Sequence, residues 1–166
     1  MIKVIMGDIT QCESDAIVNA ANKSLLGGGG VDGAIHKAAG PKLLEYNRTL
    51  GGCETGQVKH SPGFNLKAKV IIHTVGPIYS NSPQDENDLR NCYLNSLNLA
   101  KELKLNSIAF PAISTGVYGY PINEAAKVSV RAVMDWLKGN EMEIIFCCFD
   151  QENYQAIQQE LIKHSR

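Results

Sequence analysis

The residues best suited to chemistry cluster in one segment, Asn19 to His36, which reads NAANKSLLGGGGVDGAIH. Its four consecutive glycines, Gly27 to Gly30, lose much conformational entropy on ordering, so they need positive φ or close backbone approach to something. The run follows an apolar strand-like stretch and opens a helix-like one. Its N–H groups, and the positive end of that helix, therefore stand where an anion would sit. Asp32 lies just inside the helix, with two readings open. It caps the helix start, or it faces a water or a sugar hydroxyl at the mouth of the glycine loop.

Gly28, Gly30 and Gly33 also fit the GxGxxG spacing of dinucleotide-binding dehydrogenases. That fingerprint requires an acidic residue at the end of the next strand, about twenty residues on, to hold a ribose. The corresponding stretch here is YNRTLGGC, with neither strand pattern nor carboxylate. Asp32 would also repel a pyrophosphate placed close by, so the dehydrogenase reading is set aside.

A second glycine-punctuated loop, Ile113 to Pro121 (ISTGVYGYP), again sits between a strand-like and a helix-like segment. Two such loops suggest a diphosphate gripped from both sides. Neither is a P-loop, since no GxxxxGK[ST] occurs and nucleoside triphosphate hydrolysis is unsupported. Tyr118 and Tyr120 are either packing aromatics or faces offered to a sugar or base. Gly7-Asp8-Ile9-Thr10 and Phe149-Asp150 also follow strand-like runs. Each is weak alone: an aspartate at a turn commonly bonds its own backbone, and a phenylalanine there suits a core.

The elements that must position these loops alternate along the chain. Strands are predicted at Ile2–Met6, Ala16–Ala21, Gln57–Ser61, Val70–Val75, Ser107–Phe110 and Glu143–Phe149. Helices are predicted at Val31–Ala39, Lys42–Leu50, Glu86–Leu103, Ile122–Leu137 and Gln151–His164. Such interleaving implies a largely parallel sheet with helices on both faces, binding ligands at the carboxyl ends of its strands.

The chain has 166 residues, with no internal repeat or linker-like stretch, and reads as a single domain over 1–166. A net charge of −1 argues against affinity built on broad phosphate neutralisation, so nucleic-acid binding through the same loops is not favoured. The five cysteines show no CxxC and no zinc-ligand spacing with histidine. Cys12, Cys53, Cys92, Cys147 and Cys148 are read as buried free thiols, which suits a reducing compartment. No apolar run is long enough to span a bilayer, and the start MIKVIMGDIT has no signal-peptide pattern. The expectation is a cytoplasmic, soluble monomer without metal or cofactor.

Taken together, GDIT, VNAANKSLLGGGGVDGAIHKAAG, HTVGP and FPAISTGVYGYP, in this order, closely resemble the macrodomain family. The likeness is to its MacroD-type branch of ADP-ribosyl hydrolases and runs from about Lys3 to Leu161. It implies a three-layer α/β/α fold with a central mixed, largely parallel sheet of about six strands. It also implies binding of ADP-ribose and hydrolysis of its ester linkages, on ADP-ribosylated proteins modified at acidic side chains or on O-acetyl-ADP-ribose. The rival within the family is a module that reads ADP-ribose without cutting it.

Carried over by position, the resemblance assigns Asp8 to the adenine amine with the Ile9 amide nearby. It places Phe149 on the adenine face and Asp150 beside it. Ser114, Thr115, Gly116, Val117 and Tyr118 wrap the diphosphate, with the Tyr118 ring near the distal ribose. Asn22 holds hydroxyls of that ribose, Gly29, Gly30 and Val31 line it, and Asp32 is the catalytic carboxylate. Asn22 and Asp32 are the catalytic pair, acting by positioning a water, because a helix N-terminus keeps Asp32 ionised and weakly basic. His73, in HTVGP, is read as a satisfied core histidine. One departure is IYSNSPQDEND after HTVGP, where several relatives carry a tryptophan and further glycines. This loop is expected to border the second helix rather than the glycine loops, and so to affect which modified proteins fit rather than ligand binding.

Overall fold

The computed structural model describes residues 1–165. Strands β1 (Ile2–Met6), β2 (Ala16–Ala20), β3 (Val58–Pro62), β4 (Val70–Thr74), β5 (Ser107–Phe110) and β6 (Glu143–Cys148) form one sheet. Helices α1 (Gly30–Ala39), α2 (Pro41–Arg48), α3 (Pro83–Glu102), α4 (Ile122–Leu137) and α5 (Gln151–His164) lie between and after them. The strand order is β1-β6-β5-β2-β4-β3. Every pairing is parallel except β3 with β4, so the sheet is mixed and largely parallel, as expected.

Burial explains these assignments. β2 reads AIVNA and is wedged between β5 and β4, so both its faces are covered and apolar residues run without alternation. β3 reads VKHSP, polar and ended by proline, as suits an edge strand. Successive residues of the inner strands feed two cores. Val18, Ile72, Phe110 and Phe146 face α3, α4 and α5. Ile17, Ile71, Ala109 and Ile145 face α1 and α2, where Ile35 and Leu43 meet them. Each of these valine, leucine, isoleucine and phenylalanine side chains contributes about 1.5–3 kcal/mol by leaving water.

The largest difference from the periodicity-based expectation is at α3, which begins at Pro83 rather than Glu86. Its first turn is polar and held by an acidic residue. The Asp85 carboxylate accepts from the Ser80 amide at 2.6 Å and the Ser82 amide at 3.2 Å. Apolar spacing cannot register a turn stabilised in this way.

The parallel strands all end on one side of the sheet. The chain leaving β2 turns toward α1 on one face, and the chain leaving β5 turns toward α4 on the other. β2 and β5 are neighbours, so these departures open a crevice between them at a topological switch point.

Candidate functional site

The crevice holds a cleft of about 300 Å³. After β2 it is lined by Ala20, Ala21, Asn22 and Gly28 to Asp32; after β4, by Gly76; and after β5, by Ala112, Ile113, Ser114, Gly116, Val117 and Tyr118. The cleft therefore brings together Asn22, Gly29, Gly30, Val31 and Asp32 with Ser114, Gly116, Val117 and Tyr118, as the sequence predicts. Of the second loop's expected residues only Thr115 lies outside this lining, its hydroxyl donating to the Ala112 carbonyl at 2.9 Å.

The first wall is backbone held in unusual conformations. Gly27 and Gly30 adopt φ of +98° and +57°, and Leu25 enters the same region at +61° while fully buried. Asn22 braces the loop: its Nδ2 donates to the Gly27 carbonyl at 2.9 Å, and its Oδ1 accepts from Ser24 Oγ at 2.7 Å. Gly33 carries the first turn of α1 against the loop so closely that a Cβ there would stand 2.6 Å from the Gly28 carbonyl oxygen.

Asp32 is the third residue of α1 and only 4% exposed. It is not a helix cap, since the N-cap is Gly29 and Asp32 Oδ1 accepts instead from Asn19 Nδ2 at 2.8 Å. His36 Nε2 is 3.5 Å from the same oxygen. Asp32 Oδ2 is buried and has no hydrogen-bond partner among the described residues. Asp32, Asn22 and Gly28 all line the cleft, and a Cβ built on Gly28 would lie 3.0 Å from Asp32 Oδ2 and 3.2 Å from Asn22 Nδ2. A free carboxylate oxygen and a carboxamide nitrogen thus converge on one spot.

Burial pushes the Asp32 carboxyl above its usual range, opposed by the Asn19 hydrogen bond and by the charge of His36. Burial thus works against the lowering that a helix N-terminus is expected to bring.

The second wall is pinned from behind. Ser114 adopts φ of +68° and is 7% exposed. Its hydroxyl donates to the Pro77 carbonyl at 2.8 Å, so Ser114 offers the cleft its backbone rather than its oxygen. Gly76 lies so close to Ser114 that a Cβ there could not be accommodated. The two tyrosines have different fates. Tyr118 lines the cleft, whereas Tyr120 is 5% exposed and packs on Tyr79 with ring centroids 4.9 Å apart. The Tyr79 amide donates to the Tyr118 carbonyl at 2.8 Å. The segment following HTVGP thus borders the second glycine loop directly, which corrects the expectation that it stays clear of both. Tyr79 reaches that loop by a backbone bond that no side-chain pattern reveals.

Asp8, Ile9, Phe149 and Asp150 do not line the enclosed cleft. They follow β1 and β6, farther along the same sheet edge. Asp8 Oδ1 accepts from the Thr10 amide at 2.9 Å and from its hydroxyl at 2.7 Å. The Ile9 side chain belongs to the core facing α1. Asp150 caps α5 by accepting from the Asn153 amide at 2.8 Å. Phe149 is 86% exposed, so it is not a core residue but an aromatic face held out in solvent.

Two features escape sequence reasoning. Ala20, Ala21, Gly76, Ala112 and Ile113 line the cleft although their types carry no chemistry. Asn19 and His73 lie inside apolar strands yet stand beneath Asp32. His73 is fully buried and bonded at both ring nitrogens, which fits the core-histidine reading, and burial lowers its pKa to about 3. No cluster of metal-ligating residues occurs among the described residues. The described cysteines are all free, four buried and Cys12 half-buried.

Known proteins share this architecture. Residues 18–129 match the family described as Macro domain. A macro domain-containing protein of Chlorobaculum tepidum is 52% identical over 165 residues, covering 97% of this chain and 95% of that one. A Xenopus laevis protein named ADP-ribose glycohydrolase MACROD2 is 54% identical over 160 residues, covering 93% of this chain but only 38% of its own length. The Trypanosoma brucei macrodomain solved in complex with ADP-ribose superposes with a TM-score of 0.92 at 40% identity, covering 96% of this chain and 68% of that one. Sequence and overall fold agree: the chain belongs to the macro domain family.

Proposed function

We propose that this chain binds ADP-ribose in the cleft and hydrolyses ester linkages of its distal ribose. Its substrates are then proteins mono-ADP-ribosylated on acidic side chains, or O-acetyl-ADP-ribose. The single observation that carries the reading is the convergence of the unpartnered Asp32 Oδ2 and of Asn22 Nδ2 around Gly28. The name of the Xenopus relative, ADP-ribose glycohydrolase, and the ADP-ribose bound by the trypanosome macrodomain support the same class of ligand.

In this mechanism the two glycine loops grip the diphosphate through main-chain amides, which need no lysine. Phe149 stacks on the adenine beyond the cleft, and Asp8 accepts from its exocyclic amine through the carboxylate oxygen not committed to Thr10. Asn22 fixes the ribose, and Asp32 Oδ2 accepts a hydrogen bond from a water. The water oxygen bonds to the electrophilic carbon of the ester. The carbon–oxygen bond to the leaving group breaks, and the proton given up by the water passes through Asp32 to the product. The products are ADP-ribose and a carboxylic acid, either the freed side chain or acetate. Holding the water and the ester in register can supply several kcal/mol. A carboxyl raised by burial adds base strength, because catalysis improves as the base approaches the working pH.

The deciding experiment offers the protein a substrate mono-ADP-ribosylated on a carboxylate, and separately O-acetyl-ADP-ribose, and follows release of ADP-ribose and acetate. Turnover of either is expected. Tight ADP-ribose binding by calorimetry with turnover of neither would instead make the chain a reader. The adenine assignment has its own test. Phe149→Ala should weaken ADP-ribose binding by about 10- to 100-fold, the usual cost of one lost base–aromatic stack. Because that ring is 86% exposed, the melting temperature should stay unchanged. Undiminished affinity would move the adenine elsewhere.

A further inference from the structure

Beneath the cleft floor a line of buried polar side chains runs from the edge of the sheet to Asp32. Ser61 Oγ on β3 is 2.8 Å from His73 Nε2 on β4. His73 Nδ1 is 3.1 Å from Asn19 Nδ2 on β2, and the same nitrogen donates to Asp32 Oδ1 at 2.8 Å. Ser61, His73 and Asn19 are at most 1% exposed. Strand register makes the line possible: Asn19 is paired with His73 across β2 and β4, and Ser61 stands diagonally opposite on β3. These are positions where neighbouring rows carry isoleucine, which would be cheaper to bury.

We propose that Ser61 and His73 are positioning residues that act through Asn19 to hold Asp32 with Oδ2 aimed into the cleft. The inference rests on the hydrolase reading of that cleft. Hydrogen-bond complementarity gives the mechanism. An ionised carboxylate only accepts, so the Asn19 amide must turn its NH₂ toward Asp32. That NH₂ has a second hydrogen, and His73 Nδ1 takes it only if the ring is neutral and carries its proton on Nε2, which then donates to Ser61. Every link thus favours one orientation of Asn19. With Oδ1 engaged in this way, Oδ2 is the oxygen left to face the cleft. The titratable groups around Asp32 are His36 on its own helix and, through Asn19, His73 on β4; β2 contributes only the uncharged Asn19.

Two substitutions of His73 separate this role from simple packing. In His73→Asn the side-chain oxygen can stand near the lost Nδ1 and accept from Asn19. In His73→Gln the amide nitrogen can stand near the lost Nε2 and keep Ser61, but no acceptor remains at Nδ1. Packing alone favours glutamine, which is nearer to histidine in size, so the positioning role predicts the opposite ranking. His73→Gln should lose roughly tenfold in kcat with ADP-ribose affinity within about twofold, the pattern of misplacement without lost binding. His73→Asn should restore most of that loss. The Asp32 carboxyl carbon, titrated by NMR, should have a higher midpoint in His73→Gln than in wild type, because the Asn19 hydrogen bond that opposes burial is weakened. If both His73 variants fail to fold, Ser61→Ala serves in their place. It removes one oxygen and should lower kcat and raise the Asp32 midpoint, each less than His73→Gln does, again with unchanged affinity. Glutamine ranking above asparagine, or an Asp32 midpoint that does not move in His73→Gln or Ser61→Ala, overturns the proposal. A midpoint that moves while wild type releases nothing leaves the coupling standing and removes the hydrolase reading instead.

Discussion

Replacing Asp32 by alanine should reduce ester hydrolysis by about 10²- to 10⁴-fold, the range associated with a positioned general base. ADP-ribose affinity should stay within about tenfold, a difference under roughly 1.4 kcal/mol. The split follows from where the oxygens point. Oδ1 is committed to Asn19, and the buried Oδ2 has no hydrogen-bond partner among the described residues, so in the proposed mechanism Oδ2 is the oxygen that accepts from the water. In the proposed binding mode affinity is carried elsewhere, by the backbone of two loops and by Phe149. Turnover in Asp32→Ala comparable to wild type would remove Asp32 from the chemistry.

The isosteric Asp32→Asn change adds a stability signature. Burial raises the folded-state carboxyl above the value it has in the unfolded chain. Between those two values the folded protein holds more proton than the unfolded one, so stability falls as pH rises through that window, from about 3.9 upward. Above the raised folded value the full cost of the buried charge is present. Asp32→Asn should therefore be more stable than wild type at pH 7. The advantage should vanish as pH drops toward 4. Thermal unfolding of both proteins across pH 4–8 reads it directly, and an asparagine variant less stable at pH 7 contradicts it.

Gly33→Ala should have the opposite profile, with binding and stability failing together. In an ordinary helix interior, glycine to alanine gains about 0.5–1 kcal/mol. Here the added methyl would stand 2.6 Å from the Gly28 carbonyl oxygen, a backbone atom that no rotamer change can move aside. Overpacking of this kind costs about 1–3 kcal/mol and displaces the obstructing segment. That segment is the glycine loop, so ADP-ribose affinity should fall about 10- to 100-fold as its amides leave register. Calorimetry and thermal unfolding of the one variant suffice as a test. A stabilised Gly33→Ala that binds normally would show that close approach of α1 to the loop is not required.

The contrast between these variants shows what the sequence reveals and what it hides. Loops after β1, β2, β5 and β6 are legible because glycine and aspartate punctuate apolar runs, and such punctuation marks where a chain must turn. Strand and helix positions are legible for the same reason, apart from the polar first turn of α3, which capping rather than periodicity stabilises. Asn19 and Ser61, and the link that His73 makes between them, are illegible. Each occupies one position within a strand, and their partnership depends on β2–β4–β3 register rather than on any local pattern. The burial of Asp32 is hidden likewise, because burial is a property of the assembled cleft. Tyr118 and Tyr120, two residues apart in one loop, show the limit most simply: one faces the cleft and the other the core, and composition does not distinguish them.

Two bonds hold the far side of the crevice, Ser114 Oγ to the Pro77 carbonyl and the Tyr79 amide to the Tyr118 carbonyl. Their consequence is an asymmetry in time rather than in affinity. The segments after β4 and β5 are latched into a single stiff jamb. The glycine wall opposite is braced only within its own loop, by Asn22 Nδ2 on the Gly27 carbonyl. Substitutions between Ile78 and Ser82 that loosen the latch should therefore shorten the stay of a bound ADP-ribose without touching any group proposed to recognise it.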